Sequence, residues 1–472
     1  MRELENGGIA VYFNEKSVEM KMSTSFISVK QAELNYKREL DGKDFESVRL
    51  LSETEWEGLL NSIDVTSEDE KKLHTFYTCL YRTFLYPRIF YEYDETGMPV
   101  HYNADTKTCE KGVFYTDNGF WDTYRTVYPL LSIGRPKLVA EMVEGFINYG
   151  EETGWLPKWI SPGEIGIMPG ALVEAVIADA CVKGIISDDL RSRAYKLLKK
   201  NAFEAGEGRH GRNEIAEYIK YGYIPNCCRE SVNNTCDCAY GDFCVSVVAE
   251  MEGDHATAKE LLARSKSYAK LFDPQTKFLR SRDKQGNVKK TFDPYEWGGD
   301  NCEGSSWQNS FAVYHDVDGL ISLYGSKKAL EARLDELFSA APIFEVGQYG
   351  QEIHEMSEMA CVDFGQMAIS NQPSFHIPWL YVLCGRRDKA SFWVERLAKE
   401  AFFCDIEGFP GDEDNGTTSA WYIFACLGFY PICPGKNEYV ATKPLFDSIR
   451  INGRDVRVDL PDVVGIEELF RN

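Results

Sequence analysis

The chain has 472 residues, of which 52 are Lys or Arg and 74 are Asp or Glu, a formal net charge of −22. That field repels polyanions and no basic run interrupts it, so nucleic acid is excluded as a partner. Apolar residues make up 44%, enough for a large core, yet they nowhere run together long enough to cross a bilayer, so a membrane partner is excluded too.

The N-terminus, MRELENGGIAVYF, has neither a basic n-region nor an apolar h-region. Residues 9–13 and 18–29 predict strands, the second by its alternation. Two strands cannot make a stable sheet alone. Residues 1–33 therefore read as remnant strands of an N-terminal β domain. Residues 34–64 read as a helical linker, with Leu50, Leu51, Trp56, Leu59 and Leu60 at helical spacing.

From residue 65 onward, helices alternate with long Gly-, Pro- and Asp-rich loops. Leu172, Val173, Val176, Ile177, Ala180 and Cys181 mark one wide buried stripe. Further helices centre near 75–85, 121–131, 139–149, 256–271, 376–384, 389–402 and 419–427. No short repeat marks a solenoid. Residues 437–460 turn β-like. The expected fold class is mainly α: an α/α toroid over 65–472 with a short β tail, its function carried by loops. The chain holds 14 Cys. Cys227, Cys228, Cys236, Cys238 and Cys244 do not follow a zinc spacing, so free thiols and a cytoplasmic location are expected.

Chemistry concentrates in four loops. In the first, Trp121, Asp122 and Arg125 precede a helix. They offer a ring for a sugar face, with a carboxylate and a guanidinium for its hydroxyls, or else an Asp–Arg pair closing a helix start. In the second, Glu303 sits in a Gly-rich loop between Trp297 and Trp307. Packing on indoles would raise its pKa, as a general acid needs; a solvated loop Glu is the plain alternative. In the third, His354, Glu355 and Glu358 are followed by Asn371 and Gln372, oxygen donors for a hard cation. No H-E-x-x-H motif supports a catalytic zinc. In the fourth, Asp412, Glu413 and Asp414 lie in a Gly-flanked turn without EF-hand spacing. Asp412 and Asp414 could share a water's proton, or the turn could be the acidic start of a helix.

In this order, the segments Trp-Asp-Thr-Tyr-Arg at 121–125, Gly-Tyr-Ile-Pro at 222–225, Glu-Gly-x-x-Trp-Gln at 303–308, His-Asp at 315–316, Asn-Gln-Pro-Ser at 371–374 and Gly-Asp-Glu-Asp-Asn-Gly at 411–416 resemble glycoside hydrolase family 92, the bacterial exo-α-mannosidases. The likeness runs from about residue 18 to 450. It implies a calcium-dependent, inverting enzyme with a β-sandwich ahead of an (α/α)6 barrel. By motif, Glu303 is the general acid, and Asp412 with Asp414 the general base. Trp121 and Asp122 would line the subsite for the terminal mannose of a glycan, and Arg125 and Trp307 are expected among the substrate-binding residues. His354 and Glu355 match the pair that marks α-1,2 selectivity, and Glu358, Asn371 and Gln372 lie near calcium.

Two departures qualify this expectation. Most of the β-sandwich that completes the family's pocket is not in the sequence, and the C-terminal end is shorter. The alternative is a truncated, inactive or partner-dependent glycan-binding remnant, relying on a β-sandwich partner or on self-association. A different (α/α)6 enzyme is the third reading; a lyase acting on uronates would want a basic cleft, which the charge disfavours.

Overall fold

A computed structural model describes residues 2–3 and 9–471. Two kinds of helix alternate along the chain. Val127–Gly134 and Thr417–Leu427 are buried at every position, and Val173–Val182 and Ser231–Met251 nearly so. Others show one buried stripe: Leu190, Ala194 and Leu198 in Asp188–Phe203, and Ala390, Val394 and Leu397 in Arg387–Ala401. The first kind forms an inner ring, the second an outer one. Inner helices pack on their outer successors, as Val173–Val182 does on Asp188–Phe203 and Ser231–Met251 on His255–Arg264. Thr417–Leu427 packs on Glu70–Arg82, so the last inner helix closes against the first helix of the ring. The result is the expected mainly α toroid.

The helices missed by sequence reading are instructive. Ser231–Met251 is the longest, and its buried face includes Asn233, Asn234, Asp237 and Asp242 beside Val232, Tyr240 and Val245. A helix enclosed on all sides has no polar face, so periodicity does not mark it.

The N-terminal expectation needs correction. Only Ile9–Ala10 of the two expected strands is extended and paired, with Arg2–Glu3. Residues 11–28 form no strand. A strand needs a neighbouring ladder, and this segment instead docks through side chains. The Phe26 amide and the Ser25 hydroxyl both donate to Glu92, at 3.0 and 2.9 Å. Val18, Met20 and Met22, the alternating set, are left 44%, 71% and 70% exposed.

The linker holds two helices, Val29–Glu39 and Phe45–Leu60, the second with no buried residue. A short strand missed in the sequence, Ile63–Thr66, pairs antiparallel with Ser448–Ile451 and ties the linker to the β tail. All fourteen cysteines are unpaired thiols. Among the described residues no helix is long and apolar enough to cross a membrane.

Candidate active site

The loop carrying Glu303 is held from three directions. From the long inner helix, the Asn233 side chain accepts the Cys302 amide at 2.8 Å, and the Val232 amide donates to the Asp300 carbonyl at 2.9 Å. The Tyr349 hydroxyl accepts the Glu303 amide at 3.0 Å. The Asn371 amide donates to the Glu303 carbonyl at 2.8 Å and reaches its carboxylate at 3.4 Å. Behind the loop, Ser305 and Gln308 form a capping box that starts the next helical turn.

The acidic turn at 412–414 splits its three carboxylates. Glu413 is structural: it accepts the Gly416 amide at 2.7 Å and the Ser419 amide at 3.3 Å, capping the start of Thr417–Leu427. Asp414 turns the other way and accepts the Gln372 amide. Asp412 is largely exposed and lies 3.5 Å from His354. Gly411 has φ +64, and a Cβ there would stand 2.1 Å from the Ser370 carbonyl, so only glycine lets the turn close on residue 370. Asn415 accepts the Gly119 amide at 3.2 Å, joining this turn to the segment that begins Trp121 and Asp122.

Asn371 and Gln372 are therefore one hinge between two carboxylates. The first holds Glu303 and the second holds Asp414, so both acids face one cleft. Asp122, 3% exposed, lies beside them. Burial raises its pKa, and the charges of Asp414 and Glu303 raise it further.

Burial, then the neighbouring Glu355 charge, pushes Glu303 up to about 7. Burial, then Asp412, pushes Asp414 up to about 6. The Glu303 shift comes from enclosure of the loop and not from an indole pair. Trp297 packs in a separate small core with Met356 and Met359. Backbone strain collects here too. Glu303 and Asp414 adopt left-handed φ of +44 and +52, and so do Met168, Glu214 and Glu230 beside Glu303, at +63, +52 and +52. Such positions cost on the order of 1–3 kcal/mol each and gather at functional sites.

Not every expected residue reaches the cleft. Trp307 is a core residue, 4% exposed, edge-on to Phe278 with the Arg333 guanidinium 4.2 Å from its ring centroid. Arg125 is buried under Trp121, donating to the Trp121 carbonyl at 3.2 Å and to the Tyr314 hydroxyl at 2.6 Å. It positions the indole from behind, with its Nε and Nη1 engaged there. Trp121 itself is 1% exposed and fixed by donating to Asp237 at 3.2 Å, so its ring is a core face and not the open stacking platform expected. His354, Glu355 and Glu358 do join the cleft. His354 lies 3.3 Å from Glu355 and 3.1 Å from Glu358. Burial opposes its protonation, but Glu355, Glu358 and Asp412 outweigh it and raise its pKa.

Sequence reasoning missed the wall beside Glu303. A cavity of about 440 Å³ opens there, lined by Met168, Asn213, Glu214, Arg229, Glu230 and Tyr349. Lone polar residues in three separate loops carry no local pattern; only the turn propensity of Asn213 and the Glu230-Ser-Val-Asn-Asn run before an apolar stretch could have flagged them.

The expected cation ligands fit in part. The side-chain amides of Asn371 and Gln372 are engaged with Glu303 and Asp414. Glu358 and Glu355 each keep one buried carboxylate oxygen without a partner. Oxygen donors of this kind suit a hard cation. Among the described residues no three His, Cys, Asp or Glu side chains are grouped as a metal site. Carbonyl oxygens and waters would have to complete the shell around the two glutamates.

The two raised carboxyls set a pH window. A reaction that needs Asp414 ionised fails as pH falls below about 6. One that needs Glu303 protonated fails as pH rises above about 7. A bell-shaped kcat/KM profile centred between these values is expected. A profile flat from pH 5 to 9 would refute the assignment.

The family model described as the glycosyl hydrolase family 92 catalytic domain matches residues 31–461. The fold is similar to a family GH92 inverting mannosidase of Bacteroides thetaiotaomicron. That match has 34% identity and a TM-score of 0.86, and covers 94% of this chain and 64% of that one. It is also similar to an α-mannosidase of the same family and organism, solved with mannoimidazole. There the identity is 28% and the TM-score 0.84, over 94% and 61% of the two chains. An uncharacterized secreted glycosidase of Arthroderma benhamiae is 25% identical over 92% of this chain and 53% of its own length. The chain thus spans less than two thirds of these relatives.

Proposed function

We propose that this chain, which belongs to glycosyl hydrolase family 92, is the catalytic helical domain of an exo-acting, inverting α-mannosidase with preference for α-1,2 linkages. The observation that carries the reading is the Asn371–Gln372 hinge, which holds a carboxyl raised to about 7 beside one raised to about 6. Inversion needs a protonated carboxyl on one side of the bond and a base on the other, about 6.5–9.5 Å apart.

Glu303 gives its proton to the glycosidic oxygen as the bond from that oxygen to the anomeric carbon breaks. Asp414, with Asp412 beside it, takes a proton from the water that attacks the anomeric carbon from the opposite face. The products are β-mannose and the shortened glycan. Asp122 accepts from or donates to sugar hydroxyls at the floor, and the Trp121 ring, 1% exposed, packs beneath it as part of the core. His354, with Glu355 at 3.3 Å, would meet the leaving sugar, and hydroxyl recognition there would select the α-1,2 linkage.

We also propose calcium as the cation held by Glu355 and Glu358. When bound it supplies oxophilic coordination of sugar hydroxyls. The test of both readings is time-resolved NMR of α-1,2-mannobiose turnover, with and without chelator. The first mannose released should be the β anomer. Chelation should abolish release, and calcium but not zinc should restore it. Initial α-mannose would overturn inversion, and activity indifferent to chelator would overturn calcium.

A second reading is favoured by one observation: the apolar N-terminal face. Tyr12, Met20, Met22, Phe26 and Phe45, all within the first 45 residues, are each more than half exposed, apolar side chains that a covering domain would shield. They suit a covering β-sandwich that completes the pocket. Turnover by the chain should then be low and should rise when a family β-sandwich is added. Full activity of the chain alone would make that cover dispensable.

A further inference from the structure

The cavity of about 440 Å³ beside Glu303 takes only that residue from the acids of the cleft. Among the described residues its lining includes Glu303 and none of Asp122, Asp412, Asp414 or His354. It therefore opens on the side of Glu303 away from the carboxylates that surround the terminal mannose. Its size is within the range of small-ligand sites, about 300–1,000 Å³. A general acid stands at the bond between two sugar units. Space that it shares with no other member of the site belongs to the unit that leaves.

Two neighbouring side chains in this wall form a donor–acceptor pair. Arg229 Nε lies 3.0 Å from a Glu230 carboxylate oxygen, and the Arg229 side chain is 79% exposed against 12% for Glu230. A guanidinium carries five N–H donors, more than one carboxylate can occupy, so donors remain for a ligand hydroxyl. The backbone beneath the pair is fixed. The Asn234 side chain donates to the carbonyls of Arg229 and Glu230, at 3.2 and 3.1 Å. The Glu230 amide donates to the Gly299 carbonyl at 2.7 Å, which stitches the pair to the loop that carries Glu303. The Glu230 charge also helps to raise Glu303, so the two carboxyls are neighbours.

Ile167, 44% exposed, and Met168 add apolar surface to the same cavity for the C–H groups of a ring. The charges of Arg229 and Glu230 offset one another, and it is the chemistry of Glu303 that fixes the ligand as a sugar. We propose that Arg229, paired with Glu230, is a specificity-determining contact for the leaving sugar and donates to one of its hydroxyls. This contact is additional to the His354–Glu355 pair, and it rests on the mannosidase reading for the identity of the leaving group. It rewards substrates whose leaving group is a sugar over those with a small alkyl group in its place.

The test is calorimetric titration of the whole chain carrying Glu303→Gln, which can bind without turnover. The ligands are α-1,2-mannobiose and methyl α-D-mannoside, which has no leaving sugar. The mannobiose should bind more tightly. Adding Arg229→Ala, at an exposed side chain whose loss leaves the core intact, should weaken the mannobiose about tenfold and the methyl mannoside less than about twofold. Equal weakening of both ligands, or of neither, would overturn the inference. So would mannobiose that binds no tighter than methyl mannoside before Arg229 is changed. Turnover of mannobiose by the unaltered chain reports the mannosidase reading separately. Turnover together with an affinity indifferent to Arg229 removes the inference alone. Arg229-dependent preference for mannobiose without turnover removes the reading of the reaction and keeps the second-sugar contact.

Discussion

Glu303→Gln is expected to lower kcat/KM on α-1,2-mannobiose by about 10²–10⁴-fold, or roughly 3–5 kcal/mol of barrier. The amide keeps the size of the acid and can still face Asn371, so the loop should hold its left-handed turn. What is lost is the proton. A sugar leaving group departs as a strongly basic alkoxide unless protonated, whereas an acidic phenol departs unaided. The same variant should therefore lose far less on an activated aryl α-mannoside. The alkaline limb of the pH profile, near 7 in the parent, should vanish with it. Equal losses on both substrates would mean that Glu303 positions sugar and does not donate a proton.

The sequence carried the two catalytic loops because each is a local signal: an acid among glycines, flanked by residues with a defined role. The capping box at Ser305–Gln308 and the tight glycine at 411 are short-range devices, legible from spacing. What the sequence hid is long-range. Nothing in Asn371-Gln372 itself says that one amide holds residue 303 and the next residue 414. Likewise Trp307 and Arg125 have the chemistry of sugar binders, but their direction is fixed by packing. Arg333 lies over the indole of one, and Tyr314 takes the guanidinium of the other. Residue type proposes a role; orientation toward core or cleft decides it.

The fold divides in the same way. Glu70–Arg82 and Arg387–Ala401 show a stripe every three or four residues and were found, whereas Asp188–Phe203 and Lys327–Ser339, which show one too, were missed among their many charged residues. Ser231–Met251 carries polar groups on every turn because it lines the acid loop as well as the core, and was missed as well. The alternation at Val18, Met20 and Met22 is real, yet no ladder stands beside it among the described residues. A pattern states which face is apolar, and only a neighbour turns it into a strand.

Asp414→Asn is expected to lower activity about 10²–10⁴-fold on both the mannobiose and the activated aryl mannoside, because water must lose a proton whichever group departs. An anionic nucleophile needs no base. Azide should therefore restore turnover of the aryl substrate, yielding the β-mannosyl azide that inversion requires, and should leave the mannobiose unreactive at high pH, where Glu303 is ionised. The neighbouring acid is expected to behave differently. Asp412 is exposed, and its charge is the main electrostatic cause of the raised Asp414 pKa. In Asp412→Asn the acidic limb should move below about 6, with a smaller loss of rate. The Asp414 charge also helps to raise Glu303. Its removal should pull the alkaline limb down, so the little activity left in Asp414→Asn should fade at lower pH than in the parent. An acidic limb unmoved in Asp412→Asn, or azide without effect on Asp414→Asn, would transfer the base role away from this pair.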